Sequence, residues 1–566
     1  MRDLAVLALL RLRPTEWQKM LLLAAVIGVL GALATIGFRE GVLLAERLIF
    51  GRSDGLVRIA QGLAWWQRLA APALGGIVAG LLLAWSRRIA GPRPDGDYME
   101  AISLGSGDLP LRKSVVRALS SAATVASGGA IGREGPMVQL AALAGSLIGR
   151  WRRAPVPRRR LMVACGAAAG VATAYSAPIA GALFVAEIVL QSVAIESLGP
   201  LLVSAVAANL TLTELVGFAP VYQMPSFALP HGSTTLLLAA LGLVGGFAAP
   251  AYLWLLDRAH GVFRRLHAPL WIKLGLGGLI VGALSIERPE VWGNGYSVVN
   301  SILQGGWPWT MLIVVLAFKV MAVSATTGSG AVGGIFTPTL FVGAVAGALF
   351  GAAVQQVWPG TLPQPASVAV GMGAFLAAST HAPLMSVLMI FEMTENYGVV
   401  VPLMLACVVG YFISRALRPA SVYASARVSM PVPQLAMAAD FLRTNSAIVQ
   451  AGQSVRELEA AFLRHRWPHV YVVDTDRKFL GAISLHDLAP LLADPAALDL
   501  WPQALLRKDY PRVTNVTPSW QVLETFATHP GERLPVLDEQ GRLLGHVTKT
   551  DLVLMFRERL SAGTGQ

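Results

Sequence analysis

Of the chain's 566 residues, 54% are apolar and only 14% are charged, and the mean hydropathy is +0.58, which places most of it among polytopic membrane proteins. The formal net charge is +12, yet from Met430 onward there are 14 basic and 15 acidic side chains, so the excess belongs to the apolar part, where it reports topology and not nucleic-acid binding. The two cysteines, Cys165 and Cys407, both lie in apolar segments, so neither a disulfide framework nor a metal cluster is indicated.

Apolar runs of spanning length recur from Leu21 to about Ile413. The first follows Arg11, Arg13 and Lys19 and lacks a small-residue cleavage site, so it reads as a retained helix with the N-terminus in the cytoplasm. Many later runs, among them 74–85, 236–256, 311–323, 341–357 and 400–413, are interrupted by Gly and Pro or too short to cross a bilayer upright. They predict half-helices and tilted helices packed in protein, because irregular backbone survives at membrane depth only where protein or a cavity satisfies it. Arg150, Arg152, Arg153, Arg158, Arg159 and Arg160 form a basic loop that belongs on the cytoplasmic side.

Within this region SGGAIGREGP (127–136) and SGAVGGIFTP (329–338) match at a spacing of 202, with Ser127/Ser329, Gly128/Gly330, Gly132/Gly334 and Pro136/Pro338 in register. A second match, Gly166, Ala177, Pro178 and Glu187 with Gly371, Ala382, Pro383 and Glu392, runs at a spacing of 205. The halves are therefore about 115–217 and 317–420, and an odd number of crossings in each would make them inverted. Each Gly-rich stretch opens a helix, and the unpaired N–H groups of a helix start attract anions. Two such starts at the membrane midplane make an anion path.

After Arg418 the composition changes, and residues 440–560 alternate amphipathic helical stretches with short β-rich runs, as a soluble α/β module does. YVVDTDRKFLGAISLHDL (471–488) matches PVLDEQGRLLGHVTKTDL (535–552), with Asp474/Asp538, Gly481/Gly545 and Asp487/Asp551 each 64 apart. Each copy reads as strand, turn, strand and a helix opened by Ser484 or Thr548. These copies resemble tandem CBS domains, at 441–495 and 505–562, joined by a linker at 426–440 to a membrane part at 1–425. The resemblance implies an adenine nucleotide as the ligand class such a pair can hold, with Asp487 and Asp551 at ribose and Ser484 and Thr548 near phosphate. The alternative is that these four residues only cap their helices.

GREGP (132–136) places Arg133 and Glu134 inside a largely apolar segment. A carboxylate at membrane depth costs about 2.5–3.5 kcal/mol on insertion scales, so it needs a role. Pairing with Arg133 is a weak explanation, since adjacent helical residues do not face each other. At the start of a half-helix, Glu134 can sit where a permeating anion would sit and move away when protonated or displaced, which is a gate.

GREGP at 132–136, GIFTP at 334–338, FEMTENY at 391–397 and Tyr423 in RPASVYASA together make the chain similar to the CLC family of chloride channels and proton-coupled chloride antiporters. With the C-terminal CBS pair the likeness covers nearly the whole chain. It implies an all-α polytopic membrane domain of two inverted repeats, then the α/β CBS pair, in a homodimer with one pore per subunit. It also implies Glu134 as the external gating glutamate, an anion site at Gly132, Arg133, Gly334, Ile335 and Phe336 with backbone contacts from the last two, and a hydroxyl contact from Tyr423.

Two departures from the family pattern bear on function. The family's GSGxP serine has no counterpart: GSGDLP (105–110) stands too close to GREGP, and the better match, GPRPDGDYMEAI (91–102), puts Arg93, Pro94 or Asp95 near that position. Antiporters commonly carry a Glu-Glu pair where this chain has Glu187 and Ile188, so Ile188 occupies the internal proton-transfer position. That favours a gated, voltage-gated-type chloride channel in a bacterial inner membrane, with both termini cytoplasmic. The alternatives are proton–chloride antiport and transport of another anion such as fluoride or nitrate. No phosphate-binding loop with lysine, metal-spaced His/Cys cluster or nucleophile elbow occurs, so no enzymatic activity and no tightly held cofactor are expected.

Overall fold

In the computed structural model, the described residues are 16–89, 97–103, 105–217, 220–225, 227, 232–424, 437–528, 531–552 and 554. The chain divides into two compact units, Met1–Val428 and Ser429–Gln566.

The first unit is helical. Its elements are α1 (Glu16–Phe50), α2 (Leu56–Gly62), α3 (Trp65–Ile89), α4 (Tyr98–Ser103), α5 (Leu111–Ala126), α6 (Glu134–Trp151), α7 (Val156–Tyr175), α8 (Pro178–Leu183), α9 (Ile195–Val216) and α10 (Gly232–Arg265). They continue with α11 (Leu270–Glu287), α12 (Tyr296–Leu303), α13 (Trp309–Gly328), α14 (Phe336–Val357), α15 (Gln364–Thr380), α16 (Pro383–Thr394) and α17 (Val400–Leu417). Among the described residues eight helices are long and apolar enough to cross a membrane. Helices α6, α7 and α15 are not among those eight, α6 and α7 because Gly, Ala and polar residues lower their hydropathy and α15 because it has only 17 residues. Yet α7 and α15 are buried along almost their whole length, from Met162 to Tyr175 and from Ala366 to Thr380. They form the centre of the unit, and their small side chains let neighbouring backbones approach closely.

Buried hydroxyls in this core return to carbonyls one turn back. Thr124, Thr173, Thr326, Thr327 and Thr380 all donate to the i−4 oxygen, which satisfies polar groups that lipid-like surroundings would leave unpaired. The repeat extends further than its motifs. A side chain on Gly75 in α3 would meet Ser127 Oγ at 1.8 Å, and one on Gly277 in α11 would meet Ser329 Oγ at 2.6 Å. These two close approaches occupy equivalent places in the two halves.

The second unit holds two three-stranded sheets, β1–β2–β3 (Ile448–Gln450, His469–Val473, Phe479–Ser484) and β4–β5–β6 (Val513–Thr514, Arg533–Leu537, Leu543–Thr548). In each, the first pair is parallel and the second antiparallel, with a register shift at Val472/Val473 and again at Val536/Leu537. Helices α18 (Val455–His465), α19 (Leu485–Leu492) and α20 (Ser519–Thr528) accompany the sheets. The two hairpin turns exchange hydrogen bonds: Phe479 N–H donates to Gly541 O at 3.0 Å and Leu543 N–H to Arg477 O at 2.9 Å.

Candidate functional site

The two Gly-rich stretches meet. Gly132 N–H donates to Gly334 O at 2.8 Å and Gly334 N–H donates to Gly132 O at 2.8 Å, an antiparallel bridge that ties one repeat to the other. From this bridge α6 departs at Glu134 and α14 at Phe336, each with proline at its third position, Pro136 and Pro338. Proline has no N–H, and the first turn of a helix does not need one, so both helices start without an unmet bond at that position.

Glu134 lies directly over the bridge. A Cβ on Gly132 would come within 1.8 Å of Glu134 Oε2, and one on Gly334 within 2.8 Å, so only glycine at these positions leaves room for the carboxylate. The side chain is buried. Its Oε1 accepts a hydrogen bond from the Thr337 hydroxyl, while Oε2 has no hydrogen-bond partner among the described residues; Asn294 is nearby but outside hydrogen-bonding geometry. Because the one Thr337 proton goes to Glu134, the Tyr296 hydroxyl, 3.3 Å from Thr337 Oγ1, acts there as a donor. The turn before Tyr296 is fixed by Lys319, a fully buried lysine of α13 whose Nζ donates to Val291 O at 2.8 Å and Gly293 O at 2.7 Å.

A cavity of about 900 Å³ runs beside the carboxylate, and its wall includes Glu134, Gly334, Ile335, Phe336, Tyr175 and Tyr423. The Tyr423 ring meets Phe184 edge-on at 5.7 Å, and Val422 N–H, bonded to Ser379 O at 2.9 Å, fixes its backbone. Five positions singled out in the sequence are thus brought together. Gly132 and Arg133 are not on this wall. The Gly132 N–H is consumed by the bridge, as is that of Gly334, and Arg133 stands within electrostatic reach of Glu46, a buried carboxylate of α1.

Arg93, Pro94 and Asp95 lie outside the described residues. Just after them, Asp97, Tyr98 and Met99 reach the cavity. The first N–H groups of α4 are already engaged, Tyr98 N–H with Gln139 Oε1 at 3.0 Å and Met99 N–H with Asp97 Oδ1 at 2.9 Å. GSGDLP lies elsewhere, its Gly105 O accepting from Arg160 Nε at 2.6 Å and Asp108 paired with Arg159 at 2.7 Å.

Ile188 is buried among apolar side chains in the π-helical turn Phe184–Leu190. Its neighbour Glu187 accepts N–H bonds from Leu384 (3.4 Å) and Met385 (2.8 Å), at the start of α16. Glu392, at the end of α16, accepts from Ile179 (3.0 Å) and Ala180 (2.7 Å), at the start of α8. Each half therefore caps the broken helix of the other with a carboxylate.

In the second unit Ser484 Oγ accepts from His486 N–H at 3.1 Å and Thr548 Oγ1 from Asp551 N–H at 3.0 Å. Asp487 pairs with Arg507 at 2.6 Å and Asp551 with Arg443 at 2.5 Å. The Arg443 guanidinium holds the Asp551 carboxyl below the usual carboxylate range. All four residues are therefore engaged inside the chain, and the carboxylates a ribose would use already hold arginines.

Four residues of the first unit escaped the sequence reading: Thr337, Tyr296, Tyr175 and Lys319. Only Lys319 left a signal, as a charge inside an apolar run 202 positions after Arg117.

Comparison with known proteins agrees with this architecture. Residues 75–415 match the family model for voltage gated chloride channels, and residues 438–494 and 503–558 match the CBS domain. A Ralstonia nicotianae protein named for its likeness to ClcB chloride channels is 54% identical over 412 residues, covering 72% of this chain and 96% of that one. The voltage-gated ClC-type chloride channel ClcB of Salmonella typhimurium is 45% identical over 413 residues, covering 71% of this chain and 97% of its own. Among solved structures, a slow cyanobacterial Cl-/H+ antiporter superposes with a TM-score of 0.64 at 26% identity, over 72% of this chain and 96% of the other. A eukaryotic CLC transporter, at 19% identity, shares the fold over 94% of this chain and 97% of its own with a TM-score of 0.63.

Proposed function

Since the chain belongs to the voltage gated chloride channel family and is a multi-pass membrane protein, we propose that it conducts chloride passively across the bilayer, with Glu134 as the gate. The observation that carries this reading is the buried Glu134 carboxylate lying over the Gly132–Gly334 bridge at two helix starts. Both helix starts are electropositive, so the spot attracts a negative group, and the carboxylate and a permeating anion compete for it. When Glu134 is protonated or swings aside, chloride takes its place, and the N–H groups of Ile335 and Phe336 with the Tyr423 hydroxyl replace its hydration water. Such donors hold the ion without binding so tightly that it cannot leave.

The preference for a channel over a proton-coupled antiporter rests on Ile188, which carries no proton and sits in apolar packing. Antiport is the second reading, favoured by the likeness to a structure described as a Cl-/H+ antiporter. The absent serine leaves fluoride or nitrate as further cargo. The protein acts as a homodimer in a bacterial inner membrane with cytoplasmic termini, and the CBS pair adjusts opening. Its bacterial relatives support the location.

The test is simultaneous measurement of chloride and proton flux in proteoliposomes, for the wild type and Glu134→Ala. A channel passes chloride with no proton movement in either protein. Uphill proton movement driven by a chloride gradient in the wild type, abolished in Glu134→Ala, overturns the channel reading in favour of exchange.

A further inference from the structure

The geometry points to Tyr175 as an additional anion-binding and specificity-determining residue, its hydroxyl donating to the ion that replaces Glu134; this rests on the reading of the cavity as a chloride path. Tyr175 ends α7 and is 2% exposed, and its hydroxyl has no hydrogen-bond partner among the described residues. Thr337 is close, but its hydroxyl is already engaged with both Glu134 and Tyr296.

The ring needs no hydroxyl for packing. It lies 4.8 Å from the Phe336 ring, a contact that phenylalanine would make equally well. A tyrosine here thus buries a polar group with nothing on the chain to satisfy it, which native structures rarely tolerate unless water, an ion or a ligand completes the bond. Tyr175 lines the same cavity as Glu134, Ile335, Phe336 and Tyr423, and its hydroxyl lies within electrostatic reach of both Glu134 and Tyr423. Glu134 Oε2 is likewise unpartnered. Two orphaned polar atoms, one donor and one acceptor, thus belong to side chains on the wall of one cavity where two helix starts converge. A monovalent anion in the place of Oε2 supplies the acceptor that the tyrosine lacks, and it restores a hydroxyl to a path that has no GSGxP serine.

The experiment compares full-length wild type, Tyr175→Phe and Tyr252→Phe in detergent by chloride titration calorimetry, with flux in proteoliposomes alongside. Tyr252 carries a second buried, unpartnered hydroxyl away from the cavity wall, so it controls for loss of any such group. Tyr175→Phe is expected to weaken chloride binding about 10-fold or more, as loss of a hydrogen bond to a charged partner does, and to reduce preference for chloride over thiocyanate. Tyr252→Phe is expected to match the wild type. Equal chloride affinity in wild type and Tyr175→Phe overturns the assignment. Should Tyr175→Phe fail to fold, anomalous scattering from bromide-soaked wild-type crystals decides the matter: bromide within about 3.5 Å of the hydroxyl supports the assignment, and bromide elsewhere or none overturns it. Absence of anion flux in the wild type defeats the underlying function instead, so the two failures are distinguishable.

Discussion

Replacing Thr337 with valine tests whether Glu134 and chloride compete for one place. Valine keeps nearly the shape of threonine and removes only the hydroxyl that donates to Oε1, leaving the Gly132–Gly334 bridge untouched. A hydrogen bond to a charged acceptor contributes about 1.5–3 kcal/mol, so its loss reduces the ratio of seated to displaced carboxylate by a factor of about 10 to 150. For competing occupants the apparent chloride dissociation constant is the intrinsic one multiplied by one plus that ratio. Thr337→Val therefore binds chloride more tightly than the wild type, up to the limit set by Glu134→Ala, in which nothing competes. Titration calorimetry on the purified protein reads this directly, with Thr337→Ser as the control that keeps the hydroxyl. The competition argument fails if Glu134→Ala tightens binding while Thr337→Val leaves it within about twofold of the wild type.

Other consequences follow from the same geometry. Gly132→Ala places a methyl group 1.8 Å from Glu134 Oε2 and 2.8 Å from Gly334 O; it should destabilise the protein by about 1–3 kcal/mol and raise chloride leak as the carboxylate is expelled, read by thermal unfolding and vesicle efflux. Glu392→Gln leaves one of two capped N–H groups of α8 without an acceptor; about 1–2 kcal/mol of stability should be lost with no change in the ratio of proton to chloride flux. In the CBS unit, burial and the nearby Arg533 and Arg443 lower the His546 pKa from its ordinary value of 6.5 to about 4. The unfolded chain then takes up the proton first, so the unit loses stability as pH falls from about 6.5 towards about 4. Hydrogen exchange at β6 in the full-length protein should show that loss, and His546→Gln should flatten it.

Much of this arrangement was legible in the chain because duplication writes itself as spacing. The 202-residue offset joined GREGP to GIFTP, and the structure places the two glycines in mutual hydrogen bonds. The 64-residue offset likewise foretold two sheets of identical order. Polar groups whose meaning depends on a distant partner were not legible. Thr337 looks like any small residue in a Gly-rich stretch, and only its approach to Glu134, 203 positions away, gives it a role. Tyr175 likewise reads as one more aromatic residue at a helix end. The Gly132–Gly334 pairing was hidden for a related reason: sequence shows that an N–H exists at a helix start but not that the other repeat bonds to it.

Duplication also explains how the broken helices are satisfied at membrane depth. A broken helix at membrane depth exposes N–H groups that lipid cannot satisfy, and a single copy has no partner for them. Two copies satisfy each other. Gly132 and Gly334 exchange N–H bonds, Glu187 caps α16 while Glu392 caps α8, and in the soluble unit Phe479 and Leu543 bond across the hairpins. With these groups spent on one another, the donors that the proposed function assigns to an anion are the first-turn N–H groups of α14 and the hydroxyls of residues on the cavity wall. Reciprocity within the chain thus separates the donors that hold the fold from those that can serve transport. Removing a cap should therefore lower stability, whereas removing Tyr175 or Thr337 hydroxyls should alter chloride binding.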